Sequence, residues 1–337
     1  MLELRRSPLA IALDADLRFD PLFFGMRRQV MERLREFKPD VIHLTSSGDF
    51  GIVGALESRR LNVPLALAWH TNVHEFAGRR VESMLRLLPR AVRESAGQAV
   101  EKVVWRASVW FYGLGNLVLA PNRELIDAIH ARTRKPVFLM ERGIDTRLFD
   151  PSRRTRADAA FIMGFVGRLQ PEKNLRLLAR VEAALLQAGV SDFRFLIAGQ
   201  GDERPWLEEN LKHAHCTGVL TGIPLAEAYA NMDVFVFPSH TDTYGNVIQE
   251  AAASGVPSVV TSSGGPKFLV RDGVDGLVAR TDEEFCAHVV RLAAERDLLR
   301  RMGQEARRKS EDKSWDRVFE RVYDAYRQVL ADSSSAS

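Results

Sequence analysis

Cysteine is nearly missing from this sequence. Cys216 and Cys286 are the only two in 337 residues, and their separation suits neither a disulfide scaffold nor a zinc ribbon. Long hydrophobic runs are missing too. The uncharged stretch Ala107–Ala120 contains Gly113, Gly115 and Asn116 and falls short of the roughly 20 apolar residues that cross a bilayer. It reads as a helix end followed by a strand. Near the start, Pro8–Leu13 follows Arg5 and Arg6, but Asp14 and Asp16 stand where a signal peptide has small cleavage-site residues. Charge of one sign is also lacking. The chain has 47 Lys+Arg against 44 Asp+Glu, net +3, so nothing in the whole-chain balance points to nucleic acid. G-x-x-x-x-G-K-[ST] does not occur, which argues against a P-loop kinase or ATPase. These absences predict a cytoplasmic protein without a membrane span.

What remains is ordinary globular material, 46% hydrophobic and 27% charged, long enough for two domains. Short apolar or β-branched runs predict strands at Val41–Leu44, Leu65–Trp69, Leu117–Ala120, Val137–Met140, Phe161–Val166, Phe193–Ala198, Val234–Phe237 and Ser258–Thr261. Segments with helical spacing separate most of them, such as Leu175, Leu178, Val181, Ala184 and Leu185. Continuous apolar strands alternating with helices imply parallel sheets covered on both faces. The fold class is α/β, with two Rossmann-like parallel-sheet domains. An aperiodic Gly-, Pro-, Arg- and Asp-rich stretch at Glu141–Asp158 suggests the boundary, giving domains at 1–145 and 146–312. A segment at 313–331 follows. Its Trp315, Val318, Phe319, Val322, Tyr323, Tyr326 and Val329 make an amphipathic helix. That helix either packs on the second domain or crosses back to brace the first.

In open α/β sheets, ligands bind beyond the carboxyl ends of strands, often at helix N-termini. The residues just after each strand are therefore the candidates. Phe161–Val166 is followed by Gly167-Arg168-Leu169-Gln170-Pro171-Glu172-Lys173-Asn174. Arg168 and Lys173 put two cations near a helix start, which ordinarily prefers anions. Either a diphosphate sits between them, or they are solvated with Glu172 as partner. Phe193–Ala198 is followed by Gly199-Gln200-Gly201, half a dinucleotide fingerprint with Arg204 where a third Gly would stand.

After Val234–Phe237 the chain reads Pro238-Ser-His-Thr-Asp242-Thr-Tyr244-Gly245-Asn246-Val247-Ile-Gln-Glu250-Ala-Ala-Ala-Ser-Gly255. Gly245 opens a helix whose first N–H groups make an anion site. Asn246 and Glu250 lie four apart and share a side. Glu250 in a mostly apolar helix needs a partner. The vicinal hydroxyls of a sugar or ribose would serve, and so would a neighbouring loop. In the first domain, His70 follows Leu65–Trp69, where it can donate to a substrate hydroxyl or phosphate or serve as a structural hydrogen-bonder.

Gly167-Arg168-x4-Lys173-Asn174, the Gly199/Gly201 loop and Asp242-x7-Glu250 occur in that order. Together they resemble the family 4 (group 1) retaining glycosyltransferases of GT-B fold, whose two domains face a cleft. The run Thr241–Asn246 is similar to the branch containing α-mannosyltransferases and sulfoquinovosyl-lipid synthases. The resemblance implies transfer of a hexose, mannose or glucose-like, from a GDP- or UDP-linked sugar to a hydroxyl of a lipid or glycan acceptor, without a metal. It implies that Arg168 and Lys173 hold the diphosphate, Asp242 the hexose and Glu250 the ribose. Backbone groups at Tyr244, Gly245, Asn246 and Val247 would line sugar and phosphate, and His70 would match the first-domain histidine. The first carboxylate is usually Glu in this family and is Asp here.

Other readings are a sugar-nucleotide epimerase or hydrolase of the same architecture, a nucleotide-binding protein with little transfer activity, and an NAD-dependent Rossmann enzyme. The incomplete glycine pattern weighs against the last. The family's first strand and Gly-rich loop have no counterpart here, so either Leu9–Leu13 fills part of that gap or the chain is N-terminally shortened. Residues 79–106 hold seven Arg and Lys against Glu82, Glu94 and Glu101, interleaved with Met84, Leu85, Leu87 and Leu88. This pattern suits either peripheral contact with the inner face of an anionic membrane or a solvated basic helix packed on the sheet.

Overall fold

The computed structural model describes residues 7–335 except 10, 13–17 and 21. It separates into two compact units, Met1–Glu141 with Glu320–Ser337, and Arg142–Phe319. In chain order the first contains β1 (Ile11–Ala12), β2 (Arg18–Phe19), α1 (Arg27–Phe37), β3 (Ile42–Leu44), α2 (Asp49–Leu61) and β4 (Leu65–Ala68). It continues with α3 (Val73–Met84), α4 (Arg90–Tyr112), β5 (Leu117–Ala120), α5 (Arg123–Thr133) and β6 (Val137–Leu139). Strands β3 to β6 form a parallel sheet in sequence order. Alternate residues of the LALA and LVLA strands go to opposite faces, and every one is buried. Leu65, Leu67, Val118 and Ala120 pack with Trp69, Phe111 and Tyr112 on one face.

Leu9–Leu13 supplies no strand to this sheet among the described residues. Ile11–Ala12 instead pairs antiparallel with Arg18–Phe19, and residues 10 and 13 lie outside the described set.

The second unit contains β7 (Phe161–Val166), α6 (Leu177–Gln187), β8 (Phe193–Ala198), α7 (Arg204–Asn210), β9 (Ala214–Gly218) and α8 (Gly222–Ala230). Then come β10 (Val234–Phe237), α9 (Asn246–Ala253), β11 (Ser258–Thr261), β12 (Gly276–Ala279), α10 (Asp282–Ala294) and α11 (Arg296–Glu311). Its six parallel strands run in the order β12-β11-β10-β7-β8-β9. A phenylalanine-rich core joins Phe161, Phe165, Phe193, Phe195, Phe235 and Phe237, all buried. Winding proceeds outward in both directions from β7, so the strand order reverses between β7 and β10. A doubly wound sheet opens its ligand crevice at such a point, outside the carboxyl ends.

The last helix, α12 (Trp315–Ser335), begins in the second unit and ends in the first. Val322, Ala325 and Val329 cover the other face of the four-stranded sheet, against Ala66, Ala68, Leu117 and Leu119. Tyr326 Oη lies 2.5 Å from His43 Nδ1 on β3. The amphipathic stripe therefore closes the first unit's core. Among the described residues no helix is long and apolar enough to cross a membrane.

Candidate functional site

The exits of β7, β8 and β10 are tied together largely through backbone. Gly199 has φ +149°, and a Cβ there would fall 1.9 Å from the Gly167 carbonyl oxygen. Only glycine permits that approach. Gly167 N–H donates to Ala198 O at 3.0 Å, and Leu169 N–H to Gln200 O at 2.9 Å. The glycines at 199 and 201 thus serve a tight loop-to-loop packing, which accounts for a pattern only half like a dinucleotide fingerprint.

Beyond β7, Pro171–Lys173 makes a single 3-10 turn. Asn174 Nδ2 donates to Pro238 O, and Ser239 Oγ to Glu172 O, each at 3.4 Å, docking this turn on the β10 exit. Lys173 Nζ then reaches Asp242, donating to Oδ1 at 2.6 Å and Oδ2 at 2.8 Å. The two side chains are only 12% and 22% exposed, so solvent screens their attraction far less than it does a surface pair. Nζ also lies 5.6 Å from the centroid of the Phe237 ring. Arg168 is exposed and donates to Glu172 Oε1 at 3.2 Å.

Both cations therefore have carboxylate partners; Glu172 is the one the sequence offered, and Asp242 is one it did not. Glu172 is the local partner, four residues from Arg168. Asp242 arrives from the next loop, a pairing that no spacing along the chain reveals.

The other half of the site is α9. Gly245, at φ +106°, precedes it, and no side chain caps its first turn. Its leading N–H groups thus open at the crevice. Ile248 and Ala251 are buried against the sheet, while Asn246 is exposed. Glu250 lies one turn further in, and its Oε2 accepts a 2.7 Å hydrogen bond from Tyr229 Oη at the end of α8. Burial pushes the Glu250 carboxyl above the ordinary glutamate range, and the Tyr229 bond partly offsets that shift. The Tyr229 hydroxyl is raised well above the usual tyrosine value by its own burial and by the Glu250 charge.

Two contributors were missed in the sequence. Tyr229 is one; it lies in an unremarked helical segment. The other is Gly264-Gly265 after β11. Gly265 N–H donates to Asp242 O at 2.7 Å, and a Cβ at 265 would fall 1.9 Å from Thr243 O. This pair fixes the loop that presents Asp242, and a Gly-Gly set off by two residues from an apolar strand was a usable signal. Tyr244 is buried, and its Oη accepts from Arg142 N–H at 3.1 Å.

Gly167, Arg168, Lys173, Gly199, Gly201, Asp242, Tyr244, Gly245, Asn246, Val247 and Glu250 thus all belong to the second unit, on or beside the carboxyl-end loops. His70 belongs to the first, just past β4. Beside it Trp69 Nε1 donates to Asn72 Oδ1 at 3.0 Å, and Asn72 Nδ2 to Glu75 Oε1 at 2.7 Å.

Comparison with known proteins gives the family. Residues 160–295 match the model of glycosyl transferases group 1, and residues 7–148 match that of glycosyltransferase family 4. A GDP-mannose-dependent alpha-mannosyltransferase of Mycolicibacterium smegmatis is 35% identical over 315 residues, covering 90% of this chain and 77% of that protein. The chain belongs to the group 1, family 4 glycosyltransferases. It is an enzyme that transfers a sugar.

A second relative, a sulfoquinovosyl transferase of Arabidopsis thaliana, is 29% identical across 88% of this glycosyltransferase and 58% of its own length. Among solved structures, sucrose-phosphate synthase from Thermosynechococcus elongatus superposes with a TM-score of 0.70 at 19% identity, over 97% of this chain and 86% of that one. Anabaena HepE in complex with UDP gives 0.64 at 16% identity, over 93% and 82%. At these identities the likeness concerns the fold, which is GT-B.

Proposed function

We propose that this glycosyltransferase moves a hexose, mannose in the first instance, from a nucleoside-diphosphate sugar to a hydroxyl of a lipid or glycan acceptor, with retention. The Lys173–Asp242 pair beside the open N-terminus of α9 carries this reading. It offers a cation and helix N–H groups for a diphosphate, next to a carboxylate for sugar hydroxyls. Glu250, held by Tyr229, takes the ribose hydroxyls. The GDP-mannose-dependent relatives favour GDP over UDP as the donor's nucleotide.

When the anomeric C–O bond breaks, negative charge grows on the departing diphosphate. Lys173, Arg168 and the α9 N–H groups stabilise that charge. The departing phosphate oxygen takes the acceptor's proton as the hydroxyl attacks the same face, so no separate base is required. These positive groups stand in for a divalent ion. His70 is the first unit's contribution and donates to a substrate hydroxyl.

The test offers GDP-mannose, UDP-glucose and UDP-sulfoquinovose with lipid and glycan acceptors, in EDTA. An α-linked product from GDP-mannose is expected, its anomeric configuration read by NMR. Sugar released only to water would replace transfer with hydrolysis, and a β-linked product would remove retention.

The acceptor side points to a lipid surface. Leu87 in the α3–α4 connection is 94% exposed and Met84 76%, with Val92 and Val103 also outward. Arg80, Arg86, Arg90, Lys102 and Arg106 are exposed on the same two helices and their connection. Exposed apolar side chains and cations on one segment suit an anionic interface. The protein should sediment with phosphatidylglycerol-containing vesicles and not with pure phosphatidylcholine, and high salt should weaken this. Leu87→Glu/Met84→Glu should abolish it; equal binding to both vesicle types would end the idea.

A further inference from the structure

A groove of about 560 Å³ opens at the amino ends of β10 and β11, the end of the sheet opposite the loop that carries Lys173. One face of α11 forms its wall, with Arg296, Leu299, Arg300, Gly303, Arg307 and Arg308 at helical spacing. Met232 and Pro257 add apolar floor, and Arg154 enters from the opposite side. Five guanidinium groups thus line the groove together with the carboxylates of Asp233 and Glu311, and Arg307 is further paired with Asp150 at 2.8 Å.

The arginines fall into two sets. Arg154 and Arg307 hold the fold together. Arg307 Nη1 donates to the carbonyls of Thr146, Phe149 and Ala253 at 3.2, 3.0 and 2.7 Å. Arg154 Nη1 donates to Ala230 O and Met232 O at 3.2 and 3.1 Å, and its Nη2 to Asp233 Oδ1 at 2.8 Å. Arg296 stacks over the Phe161 ring at 4.9 Å. Arg300 and Arg308 differ: each is 68% exposed and, among the described residues, pairs with an acid three residues away on its own helix, Asp297 and Glu305. Such pairs contribute little, so both guanidiniums can turn to a stronger anion.

We infer that this groove is a second anion site, separate from the sugar-transfer site, which takes a small molecule bearing a phosphate or diphosphate group. Guanidinium forks match phosphate oxygens bidentately, and Arg is better suited to this than Lys. The volume is that of a small-molecule site. Its apolar floor accommodates the uncharged part of the ligand, while Arg154 and Arg307, already fixed by carbonyls, hold the surrounding frame rigid.

The test titrates sodium pyrophosphate calorimetrically into the intact protein, Arg300→Gln/Arg308→Gln and Lys173→Ala. Both substituted arginines are exposed and hold no backbone carbonyl, so the double variant should fold, as its unchanged melting temperature without ligand would show. The wild type should bind pyrophosphate, Lys173→Ala should keep the groove event, and the double variant should lose it or weaken it at least about tenfold. Melting temperatures with and without pyrophosphate give a second readout of the same loss. Identical binding by the double variant and the wild type, or loss of all binding in Lys173→Ala, would overturn the site.

Discussion

Lys173→Ala is expected to lower kcat by about 10²–10³-fold while weakening nucleotide binding by less than about tenfold. The asymmetry follows from what Nζ faces at each stage. In the free enzyme it is bound to both oxygens of Asp242, so a ground-state diphosphate must share or displace an existing partner and gains modestly. As the glycosidic bond breaks, the leaving oxygen acquires charge, and the same largely buried cation gains much more. Arg168→Ala should show the same pattern more weakly, since its guanidinium is 60% exposed and screened by water.

Asp242→Asn should do the opposite to binding. It keeps the shape of the loop but removes the charge that occupies Lys173, so free nucleoside diphosphate should bind as well or better while turnover of the intact donor drops. Steady-state kinetics with the donor and calorimetry with the nucleotide separate these effects. Unchanged turnover in Lys173→Ala would end the diphosphate assignment.

The inner strands were legible because burial on both faces requires unbroken apolar runs. Phe161–Val166, Phe193–Ala198, Val234–Phe237 and Ser258–Thr261 are strands over those bounds. The two strands of the six-stranded sheet that were not read, Ala214–Gly218 and Gly276–Ala279, are its edges. An edge strand has one neighbour and less cover, so β9 can carry His215, Thr217 and Gly218 without an apolar signature. The same logic divides the site. Glycines and carboxylates at fixed offsets after a strand show in sequence, because the turn and helix start that need them are local. The partners of those groups are not local: Asp242 reaches Lys173 over 69 positions and Tyr229 reaches Glu250 over 21. Glu172, four residues from Arg168, was within reach of a local reading; Asp242 was not.

Glu250→Ala should weaken nucleotide binding about 10- to 100-fold, the loss expected when charge-assisted hydrogen bonds worth ~1.5–3 kcal/mol are removed. The effect should be specific to the ribose: a 2′,3′-dideoxy nucleotide should bind the wild type and Glu250→Ala alike. The pH profile adds a second signature. Burial raises the pKa of Glu250, so on acidification its carboxylate takes up a proton at a higher pH than an ordinary glutamate, and nucleotide affinity should fall with it. The Tyr229 bond stabilises the charged form, so Tyr229→Phe should move that loss to still higher pH. Titration of the nucleotide's own phosphate is common to all three proteins, so the differences between profiles isolate the side chain. In Glu250→Ala the acid limb that distinguishes the wild type should be absent. Dissociation constants measured from pH 5 to 8 on the wild type, Tyr229→Phe and Glu250→Ala decide the matter: equal affinity of Glu250→Ala and wild type across that range would refute the ribose role.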